Sequence, residues 1–355
     1  MEKIRKIFLL AFIFAGCDAI GKSASEPEKK PDEMRIAFWN VQALFDGEET
    51  GAEYGEYLSS AGWTAEKYQA RLTALALGIE GLSENAPDII GLAEIENAQV
   101  LADFAGGPLA KKGYQWTFFG ANPGGALGVG VLSKHPFGQT LVHAITADGV
   151  TAPRPMLEIR LEVKDAPLIC FVCHWKSKIG GDEETEAFRK ASARVIARRL
   201  QELNQESPEI PVIVMGDLNE NHDEFYRKSG SVITALLPDD PSAAELAGDA
   251  PADVLVLSLH KPPLPEYFSR SAAVLYTPWG GALPEGSYYF RETWETIDHF
   301  LLSPGLFDQT GWDFSSFQVI AREPFLREGK PHGYNPRTGG GLSDHLPLLL
   351  TIALP

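Results

Sequence analysis

Cysteine, positive charge and long apolar runs are all scarce in this chain. Only three of its 355 residues are cysteine. Two of them, Cys170 and Cys173, share the segment PLICFVCHW, whose C-x-x-C spacing invites a redox or zinc reading. The segment has the pattern of a strand, however, and strand residues three apart lie roughly 10 Å apart on opposite faces. A disulfide does not bridge that distance, so both are expected to be packing residues. Positive charge is outnumbered: 31 Lys and Arg against 48 Asp and Glu leave a net charge of −17. That balance excludes a broad basic surface for polyanions, which needs clustered cations, but not a small cationic site. The apolar run from Ile7 to Ala15 is too short to cross a bilayer as a helix, and no other run is long enough. Internal repeats and a second domain boundary are also lacking.

What is present begins with 44% apolar and 22% charged residues, the balance of a globular protein rather than a disordered one. Lys3, Arg5 and Lys6 precede the short apolar run, and Ala15 and Gly16 precede Cys17. This start reads as a signal peptide over residues 1–16 and resembles a bacterial lipoprotein processing site, with Cys17 as the acylated first residue. Ordinary secretion with Cys17 incidental is the other reading. Residues 17–33 are polar and Pro-containing, as a flexible tether would be. The expectation is an exported, membrane-anchored lipoprotein, on the periplasmic face or cell surface, with one folded domain over 34–355.

Within that domain, strand-length apolar runs alternate with helical patterns. MRIAFWNV opens as a strand. In WTAEKYQARLTALALGIEGL, Tyr68, Leu72, Leu75, Ile79 and Leu82 share one face and Thr64 stands ready to cap, so a helix is expected. PDIIGLAEIEN, PLICFVCH and IPVIVMGDLNE read as buried strands, with further strands near 115–119, 128–133 and 156–163. A short helix is expected near 100–110, and DEETEAFRKASARVIARRLQEL is a long one. Residues 238–286 are rich in Pro, Ala and Gly and read as long loops around the strand DVLVLSL. WETIDHFLLS, FSSFQVI and HLPLLLTIAL complete the strands. Neighbours joined by both turns and helices fit an α/β fold, a four-layer sandwich of two mixed sheets flanked by helices, better than a purely parallel sheet.

Several of these strands end in polar groups foreign to a core: Asn40, Glu94, His174, Asp217, Asn219, Asp298, and the pair Asp344–His345. Singly, each has a structural explanation as a turn former or a hydrogen-bonded residue. Together, carboxylates, amides and histidines are the parts of an oxygen-ligated divalent-cation site with acid/base groups beside it. Such donors suit Mg2+ or Mn2+; zinc would call for more His or Cys. The Asp344–His345 pair is expected on a strand that serves as a rigid mount, with the preceding glycines letting the backbone approach a substrate.

FWNVQALFD, PDIIGLAEIEN, FVCHWKSK, VIVMGDLNE, TIDHFLLS and LSDHLPL stand in the order seen in the endonuclease/exonuclease/phosphatase superfamily, and from 34 to the end the chain resembles its members. That group includes pancreatic deoxyribonuclease, exonuclease III-like repair nucleases, inositol polyphosphate phosphatases and neutral sphingomyelinases. GWTAEKYQARL, HWKSKIGG and GSYYFRETWETIDHF resemble its exported bacterial branch. The resemblance implies the deoxyribonuclease I-like sandwich and hydrolysis of a phosphodiester by in-line attack of water. It implies Glu94 as the principal metal ligand, with Asn40 and Asp344 beside it. Asp217 and Asn219 would orient water and phosphate, and His345 would activate water or stabilise the transition state. Asp298 would orient His345, and His174 would donate to the phosphate or the leaving oxygen. Either Asp217 or His345 is the base on this reading. Lys176 and Lys178 would add positive charge near the phosphate, unless they are merely solvated. Departures from the pattern are Gln42, where many relatives have an acid, which leaves a second metal position in doubt; Ala93 for Gln; Cys173 for Thr or Asn; and His299, which follows Asp298 and would be a spare. The expected substrate is nucleic acid, the membrane is met only through the lipid anchor, and no obligate protein partner is expected. A phosphomonoesterase, a sphingomyelinase-like lipid phosphodiesterase, or a binding lipoprotein on the same fold are the alternatives. No long apolar insertion hairpin favours the lipid enzyme.

Overall fold

The computed structural model describes residues 32–122, 124–152, 154–207, 210–248, 254–269, 272–281 and 284–355. The signal peptide, Cys17 and the tether up to residue 31 lie outside the described residues. Asp32 and Glu33 belong to the first strand, where they pair with Leu354 and Ala353. No helix among the described residues is long and apolar enough to cross a membrane.

Two mixed sheets dominate. The first runs Asp313–Val319, Leu348–Leu354, Asp32–Leu44, Ile89–Ile95, Gly128–Ser133 and Trp116–Gly120, with only the Asp32–Leu44 and Ile89–Ile95 neighbours parallel. The second runs Leu236–Pro238, Leu255–Ser258, Ala273–Tyr276, Asp298–Leu302, Val212–Asp217, Ala166–His174, Met156–Val163 and Phe137–His143. Their inner faces share one core, with Ile36, Phe38 and Ile89 on one side and Cys170, Val172, Met215 and Phe300 on the other. The sheets approach closely at Gly91, where a Cβ would come within 3.1–3.2 Å of Val172 and Met215. Cys170 faces this core while Cys173 faces the second one, against the helix Asp182–Glu206. The two thiols are free and buried, as strand geometry requires of residues three apart. The helix Ala65–Glu80 buries Tyr68, Leu72, Leu75 and Ile79 against the first sheet's core, and Thr64 caps it by accepting from the Lys67 amide.

Three strands of the two large sheets were invisible to the sequence pattern. Leu236–Pro238 and Ala273–Tyr276 lie in or beside the segment read as loops; the second joins Leu255–Ser258 to Asp298–Leu302, and the first adds the sheet's edge. They are three and four residues long, too short for any period to show. Phe137–His143 is an edge strand that buries none of its seven residues, so it lacks the apolar alternation that marks the others.

The geometry at the C-terminal end also differs from expectation. Asp344 and His345 do not sit on a strand, because Leu348–Leu354 begins three residues later. They are fixed by contacts instead: Ser343 Oγ donates to the Asn40 carbonyl at 2.6 Å, and Trp39 Nε1 donates to the His345 carbonyl at 2.9 Å. Gly341 serves the backbone rather than a ligand. A Cβ there would fall 1.9 Å from the Gly333 carbonyl, so only glycine lets those two segments meet.

Candidate catalytic cleft

At one end of the sandwich the strands deliver their polar residues to a common cleft of about 600 Å³, lined by Glu94, Asp217, Asn219, His174, Asp344 and His345 among others. The parallel pairing of Val212–Asp217 with Ala166–His174 puts Asp217 level with His174, and its antiparallel pairing with Asp298–Leu302 puts it level with Asp298. Register alone therefore brings three of these side chains together.

Hydrogen bonds refine the placement. His345 Nδ1 lies 2.8 Å from Asp298 Oδ2, which also accepts from Ser287 Oγ at 2.5 Å. Its other nitrogen, Nε2, is 3.9 Å from Asp217 Oδ2. Asp217 Oδ2 accepts from Asn40 Nδ2 at 3.0 Å and lies 3.6 Å from His174 Nε2, while Oδ1 accepts the Asn219 amide. Glu94 is held from two sides, by Asn40 Nδ2 at 3.2 Å and by the Ala43 amide at 2.7 Å. The backbone is bent to achieve this: Gln42, Ala43 and Glu94 all take left-handed φ values of 53°, 49° and 65°, a conformation that non-glycine residues adopt at a cost.

Electrostatics follow from burial and crowding. Burial, followed by the charge of Asp298, pushes the Asp217 carboxyl up to about 7. Burial and the nearby Glu94 and Asp298 also raise Asp344. His345 moves the other way: burial works against its charge, but Asp298, Asp344 and Asp217 outweigh that and hold it well above the ordinary histidine value. His174 is held well below it by burial, Arg154 and His345. Four carboxylates thus converge with one imidazolium, and Asp298 Oδ1 is buried without a hydrogen-bond partner. Such a deficit of positive charge suits a divalent cation, and hard oxygen donors are what it offers.

Several expected roles change in this arrangement. Asn40 presents its amide nitrogen to Glu94 and Asp217, since its Oδ1 accepts the Gln42 amide at 3.0 Å; it bridges carboxylates where a ligand oxygen was expected. His174 Nε2 faces Arg154 Nη1 at 2.6 Å. A guanidinium only donates, so this nitrogen accepts and is not the expected donor to phosphate. Lys178 is tied to both oxygens of Glu224 at 2.8 Å, and Lys176 lines a neighbouring recess and donates to the Ile179 carbonyl. Lys178 still lines the cleft, together with two cations that the sequence did not disclose, Arg154 and Arg291. His299 is structural: it is buried, and its Nε2 lies 2.8 Å from the Glu220 carbonyl. Gln42, read from sequence only as a lost acid, turns away from the centre. Its Oε1 accepts from the Tyr334 and Asp344 amides at 2.6 and 3.1 Å, so it secures the loop that carries Asp344.

The buried group Asp217, Asp298 and His345 offers ligand atoms within 4.8 Å of one another and could also hold an ion. However, its Asp298 Oδ2 and His345 Nδ1 are already joined to each other.

Comparison with known proteins agrees with this architecture. The model of the Endonuclease/Exonuclease/phosphatase family matches residues 35–246. No curated protein matches the sequence. Among solved structures, the human Nocturnin catalytic domain with bound sulfate anion is 18% identical over 91% of this chain and 95% of its own, with a TM-score of 0.52. TDP2 from Caenorhabditis elegans is 14% identical over 91% of this chain and 74% of its own, at 0.51. An endonuclease/exonuclease/phosphatase family protein from Bacteroides thetaiotaomicron is 14% identical over 92% and 99%, at 0.52. At such identities the likeness is one of fold, and the fold is the deoxyribonuclease I-like sandwich.

Proposed function

We propose that this chain, which belongs to the Endonuclease/Exonuclease/phosphatase family and is a metal-dependent phosphoester hydrolase, is a phosphodiesterase that cuts nucleic acid. The observation that carries this reading is the convergence of Glu94, Asp217, Asp344, His174 and His345, from separate segments, on one cleft. A bound divalent ion would supply charge neutralisation at the non-bridging oxygens and the leaving oxygen. Glu94 and Asp344 would hold it, as carboxylates that line the cleft and are only partly buried. Mg2+ or Mn2+ fits these oxygens, whereas both site imidazoles are engaged elsewhere and leave zinc few donors.

The chain's own groups divide the proton chemistry. Asp217, poised near neutrality, takes the proton of the attacking water. His345, protonated and oriented by Asp298, presents Nε2–H to a phosphate oxygen. Arg154 adds guanidinium donors on the side where His174 accepts from it. Asn219 fixes Asp217 through its amide and fixes its own side chain on the Trp175 carbonyl. The signal-peptide pattern over residues 1–16, directly before Cys17, supports an exported, lipid-anchored enzyme; Cys17→Ser should release the protein from membranes, and retention would contradict the anchor.

The direct test offers the full chain plasmid DNA, RNA, an inositol phosphate and sphingomyelin with Mg2+, Mn2+ or a chelator. Metal-dependent cleavage of nucleic acid is expected. Turnover of only the lipid or the monoester would replace this reading with the corresponding alternative.

A further inference from the structure

One wall of the cleft is aromatic, and the hydrolytic groups do not account for it. The strands Tyr288–Phe290 and Thr293–Glu295 form an antiparallel hairpin. Arg291 and Glu292 turn it with left-handed φ values of 46° and 65°, as a two-residue turn requires. Tyr288 also forms a backbone bridge to His345, which fastens the hairpin to the reacting imidazole. Tyr288 and Phe290, two residues apart, point to the same face.

Their rings make a ladder. Tyr288 stacks on the His345 ring, with centroids 4.6 Å apart and planes at 28°. Phe290 continues it at 6.1 Å and 17° from Tyr288, and the Arg291 guanidinium carbon lies 5.0 Å from the Phe290 centroid. The ladder runs from the centre of the site outward to solvent, where Phe290 is 45% exposed. Tyr54 and Ile179, exposed by 44% and 82%, line the same cleft. Single exposed apolar residues are ordinary, but here they gather around one cleft beside a parallel ring stack.

We propose that Tyr288 and Phe290 form a stacking subsite for one unpaired nucleobase adjoining the scissile phosphate, so that single-stranded nucleic acid is the preferred substrate. This rests on the nucleic-acid reading above. Base–aromatic stacking is tolerant of sequence and needs an exposed base face. Bases paired in a duplex offer only their edges to the grooves. The net charge of −17 supplies no broad cationic surface for a duplex backbone, whereas Arg154 and Arg291 flank this cleft. Stacking would then contribute the affinity that surface charge does not.

The test compares three substrates with the full chain and Mg2+ or Mn2+: a single-stranded oligonucleotide, the same strand in a duplex, and a base-free tetrahydrofuran–phosphate oligomer of equal length. The wild type should cleave the single strand with the highest kcat/KM. In Phe290→Ala the ratio of kcat/KM for the single strand over the base-free oligomer should fall by roughly tenfold or more, mainly through KM. Phe290→Trp should restore it. A duplex preference, or an unchanged ratio in Phe290→Ala, would overturn the subsite while leaving the nuclease reading intact. No cleavage of any nucleic acid by the wild type would overturn both.

Discussion

Two clusters of buried acids stand in this molecule and are settled in different ways. Around Arg189, Glu186 and Glu220 have both their oxygens engaged. Arg189 donates to Glu186 Oε2 and Glu220 Oε2, and the Ala235 and Leu236 amides donate to the remaining oxygens. Asp182 closes the same guanidinium at 2.8 Å. In the cleft, no lysine or arginine among the described residues forms an ion pair with Glu94, Asp217, Asp298 or Asp344, and Asp298 keeps one oxygen bare. The first cluster is complete within the chain. The second is left short of partners, a deficit that the proposed cation would fill. Buried charge that the fold has already satisfied is scaffolding, and buried charge left unsatisfied beside an open cleft is a candidate binding site.

The contrast predicts opposite consequences for mutation. His345→Gln, whose side-chain amide can still donate to Asp298, should lower kcat by about 10³-fold, within the range for loss of a positioned acid or base, with a nearly unchanged melting temperature. Parallel losses of activity and stability would make His345 a structural residue. Arg189→Met should do the reverse and cost about 3–5 kcal/mol in chemical denaturation, because Glu186 and Glu220 would remain buried without their partner. A loss under 1 kcal/mol would erase the distinction between the clusters. Gln42→Leu should lower kcat roughly tenfold, since the loop carrying Asp344 loses its anchor and small misplacements are expensive. Unchanged kinetics would show that the loop needs no such tie.

The smallest effect concerns acid stability. Glu158 is buried; although burial alone raises its pKa, bonds from His143 and Arg199 lower it overall. A carboxyl depressed in the folded state stabilises the fold above its unfolded value of about 4.3 and loses that contribution as pH falls through the lower folded value. Glu158→Gln should therefore flatten the pH–stability curve below about pH 4, measured by denaturant titration. An unaltered slope would show that this pair is not coupled to folding.

Much of the site could be read from the chain because its residues terminate strongly apolar strands. Asp217 closes VIVMGD, Glu94 lies near the end of IIGLAEI, and His174 ends LICFVCH, so strand register did the gathering. Arg154 escaped notice because it precedes the strand Met156–Val163 in a segment with no periodicity, between Pro153 and Pro155. Its only signal was a cation immediately before a buried strand. The bridging orientation of Asn40 and the turn of Gln42 toward the loop amides depend on which amide end finds a partner, and no spacing rule encodes that. Likewise, Tyr288 and Phe290 were visible as aromatics, but their stacking on His345 arises from a backbone bridge spanning 57 positions.

The central claim is that Glu94 and Asp344 complete their charge with a divalent cation. Calorimetric titration of Mg2+ or Mn2+ into the full-length protein tests it without reference to any substrate. The account predicts saturable binding to the wild type that is lost in Glu94→Gln and in Asp344→Asn, while both variants keep their fold by circular dichroism. Binding of equal strength in all three proteins would contradict it.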